Sequence, residues 1–135
     1  MQKYYDRENG NDLSSNLTFT IIYKNGKQKI RETRYIWLDM DGRNGFSEKN
    51  MFFFVSPPEI KDTAFLSWNY AKYGKDDDQW IYLPSLRKTR RIASSSKNDS
   101  FFGTEFTYAD LNIRDLEEDE HTLLKTDSFK TKSFM

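Results

Sequence analysis

Five apolar residues in succession, Met51-Phe52-Phe53-Phe54-Val55, stand between the turn signals Asn44-Gly45 and Pro57-Pro58. A run that short between breakers is a strand rather than a helix, and an unbroken apolar strand shows apolar side chains on both faces. Whatever this chain folds into must therefore cover both faces of that strand. The flanking sequence is β-patterned as well. Leu17 to Lys24 alternates and runs into Asn25-Gly26, a dipeptide suited to the positive φ angles of a type I′ hairpin turn. The return strand, about Lys27 to Leu38, becomes aromatic at Tyr35 and Trp37 and is broken by Asp39-Met40-Asp41-Gly42. Further strands are predicted over Ala64 to Tyr73, Gln79 to Leu83, Lys88 to Ile92 and about His121 to Phe129, with the earlier links short enough for antiparallel neighbours. Residues 94–103, rich in Ser, Asn and Asp, read as a loop, and Tyr108 to Asp119 as a weak helical turn or acidic loop. The fold class is mainly β, an antiparallel meander of six or seven strands with little helix.

An open meander has to hide one face under something, and almost no amphipathic helix is present to do it. Three solutions stay open: the sheet curls into a barrel, the cover lies outside this sequence, or a ligand or second chain supplies it. The 135 residues suit one domain spanning 1–135. Apolar residues make up 36% and aromatic ones 16%, so rings supply nearly half of the apolar surface. That share of aromatics argues against a disordered chain, and no apolar run approaches the roughly 20 residues of a membrane-spanning helix. With Lys+Arg 21 against Asp+Glu 21, no electrostatic reason remains to expect nucleic acid or an anionic membrane as the main partner.

Catalytic and metal-binding patterns are weak. The absence of cysteine excludes disulfides and thiol catalysis. Asp39-x-Asp41-Gly42 and Asp76-Asp77-Asp78 resemble the start of calcium loops, but position 12 counted from Asp39 is Asn50 instead of glutamate, and turn chemistry accounts for both. His121, the single histidine, has no cysteine partners; Ser94-Ser95-Ser96 lacks a nucleophile context; Glu117-Glu118 falls in a hydrophilic loop. The expectation is a non-enzyme without metal or cofactor.

The stretch from Gln79 to Leu111 carries a more specific signal. Trp80, Tyr82-Leu83-Pro84, Arg90-Arg91-Ile92-Ala93, Asp99-Ser100-Phe101, Gly103, Phe106-Thr107-Tyr108 and Asp110-Leu111 together resemble the signature of the LolA-like outer-membrane lipoprotein-sorting proteins. Upstream, Phe54-Val55-Ser56-Pro57-Pro58 and Lys61 to Leu66 resemble the strand, turn and strand that precede it, so the likeness runs from about Leu17 onward. The resemblance implies a strongly curved antiparallel sheet, an incomplete barrel whose apolar cavity holds acyl chains. It also implies a periplasmic address, with the signal peptide outside this sequence, a lipid or lipid-modified protein as cargo, an inner-membrane transporter as partner, and no catalytic residues. Residues 1–16 are too few and too polar for the helix that members carry ahead of the first strands, and further strands are expected after the region ending here. The expectation is accordingly a partial domain.

Candidate lipid-binding residues on the strands are Phe19, Ile21, Tyr35, Trp37, Phe52, Phe54, Leu66, Trp68, Trp80 and Tyr82; sequence leaves open which parity faces inward, and an ordinary aromatic core is the plain alternative. The basic cluster Arg87, Lys88, Arg90 and Arg91 reads as a solvated strand face pairing with Asp99, Glu105 or Asp110, as a lid-holding or headgroup-binding site through Arg90 or Arg91, or as a nucleic-acid contact, which the acidic residues close by weaken. Phe101, Phe102, Phe106 and Tyr108 read as plugs over the mouth of the sheet or as core anchors, with Gly103 permitting the turn between them. The alternative function is an envelope interaction module that uses the aromatic surface. Unpaired first and last strands predict association through their edges into a homodimer.

Overall fold

The computed structural model describes residues 10–112 and 119–127. Six strands follow one another as β1 (Asp12–Ile22), β2 (Gln28–Asp39), β3 (Phe46–Ser56), β4 (Ala64–Tyr70), β5 (Asp78–Leu83) and β6 (Lys88–Arg91). They form one antiparallel sheet in the order β1-β2-β3-β4-β5-β6, with β1 and β6 as its edges. The sheet is not closed into a barrel. Single 3-10 turns at Arg43–Gly45, Ser94–Ser96 and Ala109–Leu111 are the helical structure among the described residues.

The first hairpin forms where expected, by a different turn. Gly26 N–H donates to Tyr23 C=O at 2.8 Å, Tyr23 N–H donates to Lys27 C=O at 2.9 Å, and Gly26 takes a φ of +80° while Asn25 is not among the residues with positive φ. This is the three-residue connection closed by a left-handed glycine, not a type I′ turn. Asn25 serves it through its side chain, whose Oδ1 accepts from Lys27 N–H at 3.1 Å. Two further expectations are corrected. β1 begins at Asp12, five residues ahead of Leu17, because Asp12 to Asn16 find ladder partners from Leu38 back to Arg34. Residues 121–127 form no strand, and Leu123 and Leu124 are largely exposed; β propensity makes a strand only where a neighbour completes its ladder. Positions 128 and 129 lie outside the described residues, as do 113–118 of the acidic segment.

Curvature comes from β3. Its pairing slips between Thr33↔Phe54 and Glu32↔Ser56, leaving Val55 as an extra residue, and slips again between Phe46↔Tyr70 and Glu48↔Asn69, leaving Ser47. Each bulge bends the strand and increases its twist. The result is measurable in the rings. Phe19 on β1 and Phe65 on β4 lie 5.9 and 5.3 Å from the single ring of Phe101, although three strand spacings, roughly 14 Å on a flat sheet, separate their strands. The face that holds Phe101 is concave.

Candidate functional site

Register now decides which residues share that concave face. In antiparallel pairs opposing residues point the same way. Tyr35, Phe52, Phe65 and Ile81 form one row across β2 to β5, Leu17, Thr33 and Phe54 a second beside it, and Phe19 with Arg31 a third. Phe52, Phe54, Phe65 and Phe101 form the buried hydrophobic cluster among the described residues, with Phe19, Tyr35, Ile81, Phe102 and Tyr108 packed against them. Four of the sequence candidates, Phe19, Tyr35, Phe52 and Phe54, therefore come together here, whereas Ile21 and Trp37 share their inward parity but lie outside this cluster. Leu66, Trp68, Trp80 and Tyr82 do not have that parity. They project from the opposite face, where Trp68 and Trp80 meet edge to face at 4.7 Å and Tyr82 is exposed.

The concave face is filled by a lid, residues 99–112. Phe101, wholly buried, meets Phe19, Phe52, Phe54 and Phe65 between 5.3 and 5.9 Å, and Phe102 reaches Phe54 at 4.4 Å. Tyr108 covers Phe65 at 5.7 Å. Burial, reinforced by the nearby Asp99 charge, pushes the Tyr108 phenol up. The lid is bonded mainly to itself: Phe101 N–H donates to Phe106 C=O at 2.7 Å, Ser100 Oγ to Thr104 C=O at 2.6 Å, and Thr107 N–H and Oγ1 both donate to Asp110 Oδ2 at 2.7 and 2.8 Å. Those two donors hold the Asp110 carboxyl below its ordinary value. Gly103 makes the reversal possible with a φ of +75°. Phe106 turns outward, half-exposed, touching Phe19 at 6.5 Å.

Toward the other end of the face the rows turn polar. Trp37, Asn50, Ser67 and Gln79 stand opposite one another, and Asp39, Glu48 and Asn69 form the next row. Glu48, Asn50, Ser67, Asn69 and Gln79 are all buried. Trp37 Nε1 donates to Glu48 Oε2 at 2.6 Å, and the amides of Asn69 and Asn50 donate to Oε1 at 3.2 and 3.5 Å. Burial pushes the Glu48 carboxyl up, against the lowering effect of the Trp37 and Asn50 bonds, and Asp39 adds to the rise. Burial, with the Glu48 charge, also pushes the neighbouring Tyr35 phenol up to about 12. Gln79 Nε2 donates to Tyr108 C=O and to Asn112 Oδ1, both at 2.9 Å, and Ser67 Oγ lies 3.1 Å from the same Asn112 oxygen. Among the described residues these are the hydrogen bonds that tie the lid to the sheet. Asn50 Oδ1 and Gln79 Oε1 are buried with no donor.

Sequence reasoning missed this polar half. Glu48, Asn50, Ser67, Asn69 and Gln79 stand at the alternate positions of strands, which read as a solvent-facing pattern; only the parity they share with Phe52, Phe54 and Phe65 marks them as inward. The basic cluster is the solvated strand face of one sequence reading, with all four residues of β6 exposed, but its acidic partner differs. Arg91 pairs with Asp78, its diagonal neighbour on β5, where the cluster was expected to bind Asp99, Glu105 or Asp110. The bond from the Tyr70 hydroxyl to Asp78, at 2.6 Å, and the Arg91 contact hold the Asp78 carboxyl below its ordinary value. Both groups lie on the convex face. Arg90 has the inward parity opposite Ile81 and is exposed at the sheet edge.

No group of histidine and acidic side chains that could hold a metal ion occurs among the described residues, and no helix among them is long and apolar enough to cross a membrane. What the arrangement offers chemically is a ring-lined surface packed under residues 99–112, continuous with a row of amides around one carboxyl.

A family model described as "Uncharacterized protein" matches residues 46–135. No curated protein matches the chain. Among solved structures, a domain assigned to outer membrane lipoprotein sorting from Vibrio parahaemolyticus is similar at 35% identity and a TM-score of 0.66, over 82% of this chain and 45% of that one. A DUF1329 family protein from Desulfovibrio piger is similar at 29% identity and a TM-score of 0.66, over 76% of this chain and 42% of its own. This chain thus spans less than half the length of either solved structure.

Proposed function

This chain belongs to the LolA-like family of outer-membrane lipoprotein-sorting proteins, and from that premise we propose that it is a non-enzymatic periplasmic carrier of acyl chains. Its cargo is a lipid or the lipid-modified end of a protein, received from a transporter in the inner membrane. The observation that carries this reading is the concave cluster of Phe19, Phe52, Phe54 and Phe65, covered by a lid whose hydrogen bonds to the sheet come from Gln79 and Ser67 alone among the described residues. Phe102 and Tyr108 occupy space that an acyl chain would take, and aromatic contacts with them exchange for methylene contacts at little net cost. Each buried methylene is worth about 0.8 kcal/mol, and a bilayer offers nearly the same. A carrier working between membranes needs such a replaceable cover more than a tight, preformed cavity.

Titration with a fluorescent fatty acid tests the reading. Saturable binding, displaced by unlabelled fatty acid and changing the emission of Trp37 but not of Trp68 and Trp80, is the expected result. The three tryptophans are separated by single-tryptophan variants. Failure of every acyl ligand to bind would overturn the carrier. A second reading, an envelope interaction module, is favoured by the convex face, where Phe46, Trp68 and Tyr70 pack at 5.0 to 5.5 Å with the Lys49 ammonium 4.1 and 4.3 Å from the Phe46 and Trp68 rings. It predicts partner binding that is lost on Trp80→Ser and unaffected by saturating fatty acid.

A further inference from the structure

The two edges of the sheet are chemically unlike. β6 is four exposed residues, Lys-Thr-Arg-Arg, short and cationic in the way that protects an edge from pairing. β1 is eleven residues long, and from Leu13 to Ile22 it contains no charge and no proline. A groove of about 230 Å³ lies along it, walled by Thr18, Phe19, Thr20 and Ile21 on one side and Thr104, Glu105 and Phe106 on the other. Four consecutive strand residues point alternately to both faces, so what they line together is the backbone edge itself. That groove is shaped for an added strand.

We propose that the occupant is β1 of a second copy, paired antiparallel about a two-fold axis normal to the sheet. The axis keeps both lids on the same side, so odd residues must oppose odd residues, and centring it on Leu17 uses all eleven residues. In that register Leu13, 48% exposed, lies opposite Ile21 beside the lid, and the contact occurs twice by symmetry. No charge faces a like charge. The ladder supplies roughly ten backbone hydrogen bonds, the number a standard interface carries. Pairing β6 with its own copy would oppose arginines and lysines over four residues. Pairing β1 with β6 would be head-to-tail, giving a ring or an open filament and not a two-fold dimer, and would set the uncharged β1 against the cationic β6 over only four residues. The proposal does not depend on the carrier reading.

Light scattering across a wide concentration range tests it, with the expected mass twice the 16.1 kDa of the chain. Asn16 and Thr18 are exposed on the convex side of β1, and Asn16→Lys with Thr18→Lys places lysine opposite lysine twice. This double variant is expected to halve the mass while its circular dichroism stays unchanged and its thermal midpoint no longer rises with protein concentration. Asn16→Glu with Thr18→Glu does the same alone, and mixing the two variants restores the doubled mass. Because the chain has no cysteine of its own, Leu17→Cys reports the register: opposed Cα atoms about 4.5–5.5 Å apart are within disulfide reach, so oxidation should cross-link the dimer. A monomer at every concentration, a mass that keeps growing, or a dimer untouched by both double variants would overturn the proposal.

Discussion

Glu48 is buried under three N–H donors, with no ion-pair partner among the described residues. Its raised pKa means that the folded state holds the proton more tightly than the unfolded state does, so its contribution to stability is full below the ordinary carboxyl value of 4.5 and falls as pH rises through the raised one. Asp78 and Asp110, with lowered values, act in the opposite sense and lose their contribution as the medium turns acid. The Glu48 part is isolated by difference: the gap in urea midpoint between wild type and Glu48→Gln is expected to shift in favour of the variant as pH is raised from about 4 to about 8. A gap that does not change with pH would show that Glu48 titrates alike in both states. The unpartnered Asn50 Oδ1 belongs to the same chemistry, because a half-turn of that amide brings it to Glu48 Oε1, where a protonated carboxyl can donate. Gly103 is a simpler case. At φ +75° an added Cβ meets only Arg31 Nη2, at an ordinary 3.5 Å, so Gly103→Ala costs backbone strain alone, roughly 1–2 kcal/mol by thermal or urea unfolding.

At the scale of elements the lid and β3 matter most. The lid is held by rings from above and by Gln79 from the side, so the two kinds of tie separate by mutation. Gln79→Leu removes the Nε2 donor to Tyr108 C=O and Asn112 Oδ1 and leaves Ser67 Oγ as the one side-chain tie between sheet and lid among the described residues; hydrogen exchange of the amides of Thr104, Tyr108 and Ala109 is expected to quicken while those of β3 hold. Phe101→Ala deletes a wholly buried ring and is expected to cost about 3–5 kcal/mol in urea unfolding. In the carrier reading it also vacates acyl-sized space, so any fatty acid affinity should rise. On β3, the bulge at Ser47 turns Phe46 from the inward parity to the convex side, where it stacks on Tyr70 at 5.0 Å. No period-2 reading of the sequence contains that switch, since a bulge is a choice of partner register and not a local residue pattern.

For the molecule as a whole, the consequence is a sheet with one covered and one half-open face. The expectation that both sides of Met51 to Val55 would be covered holds for Phe52 and Phe54, whereas Met51 and Phe53 remain half-buried on the convex side and Val55, in the bulge, is exposed. Protection against hydrogen exchange should follow position in the sheet: greatest in β3 and β4, which are paired on both sides and lie beneath the lid, and least in the four exposed residues of β6. Equal protection of β6 and β3 would mean that something else covers that edge. The six strands, their order and the places of the turns at Gly26, Gly42 and Gly103 were determined by the sequence itself, because alternation and glycine chemistry act over a few residues, whereas the type of the Gly26 turn and the absence of a strand over 121–127 were not. Which of its aromatics share a face was not. Apolar side chains of both parities run through β3 and β4, and the polar inward row looks in sequence like a solvent face. Only the tertiary structure, through register, bulges and the lid laid across four strands, set Phe19, Phe52, Phe54 and Phe65 together with Glu48 beside them and sent Leu66, Trp68, Trp80 and Tyr82 to the other side.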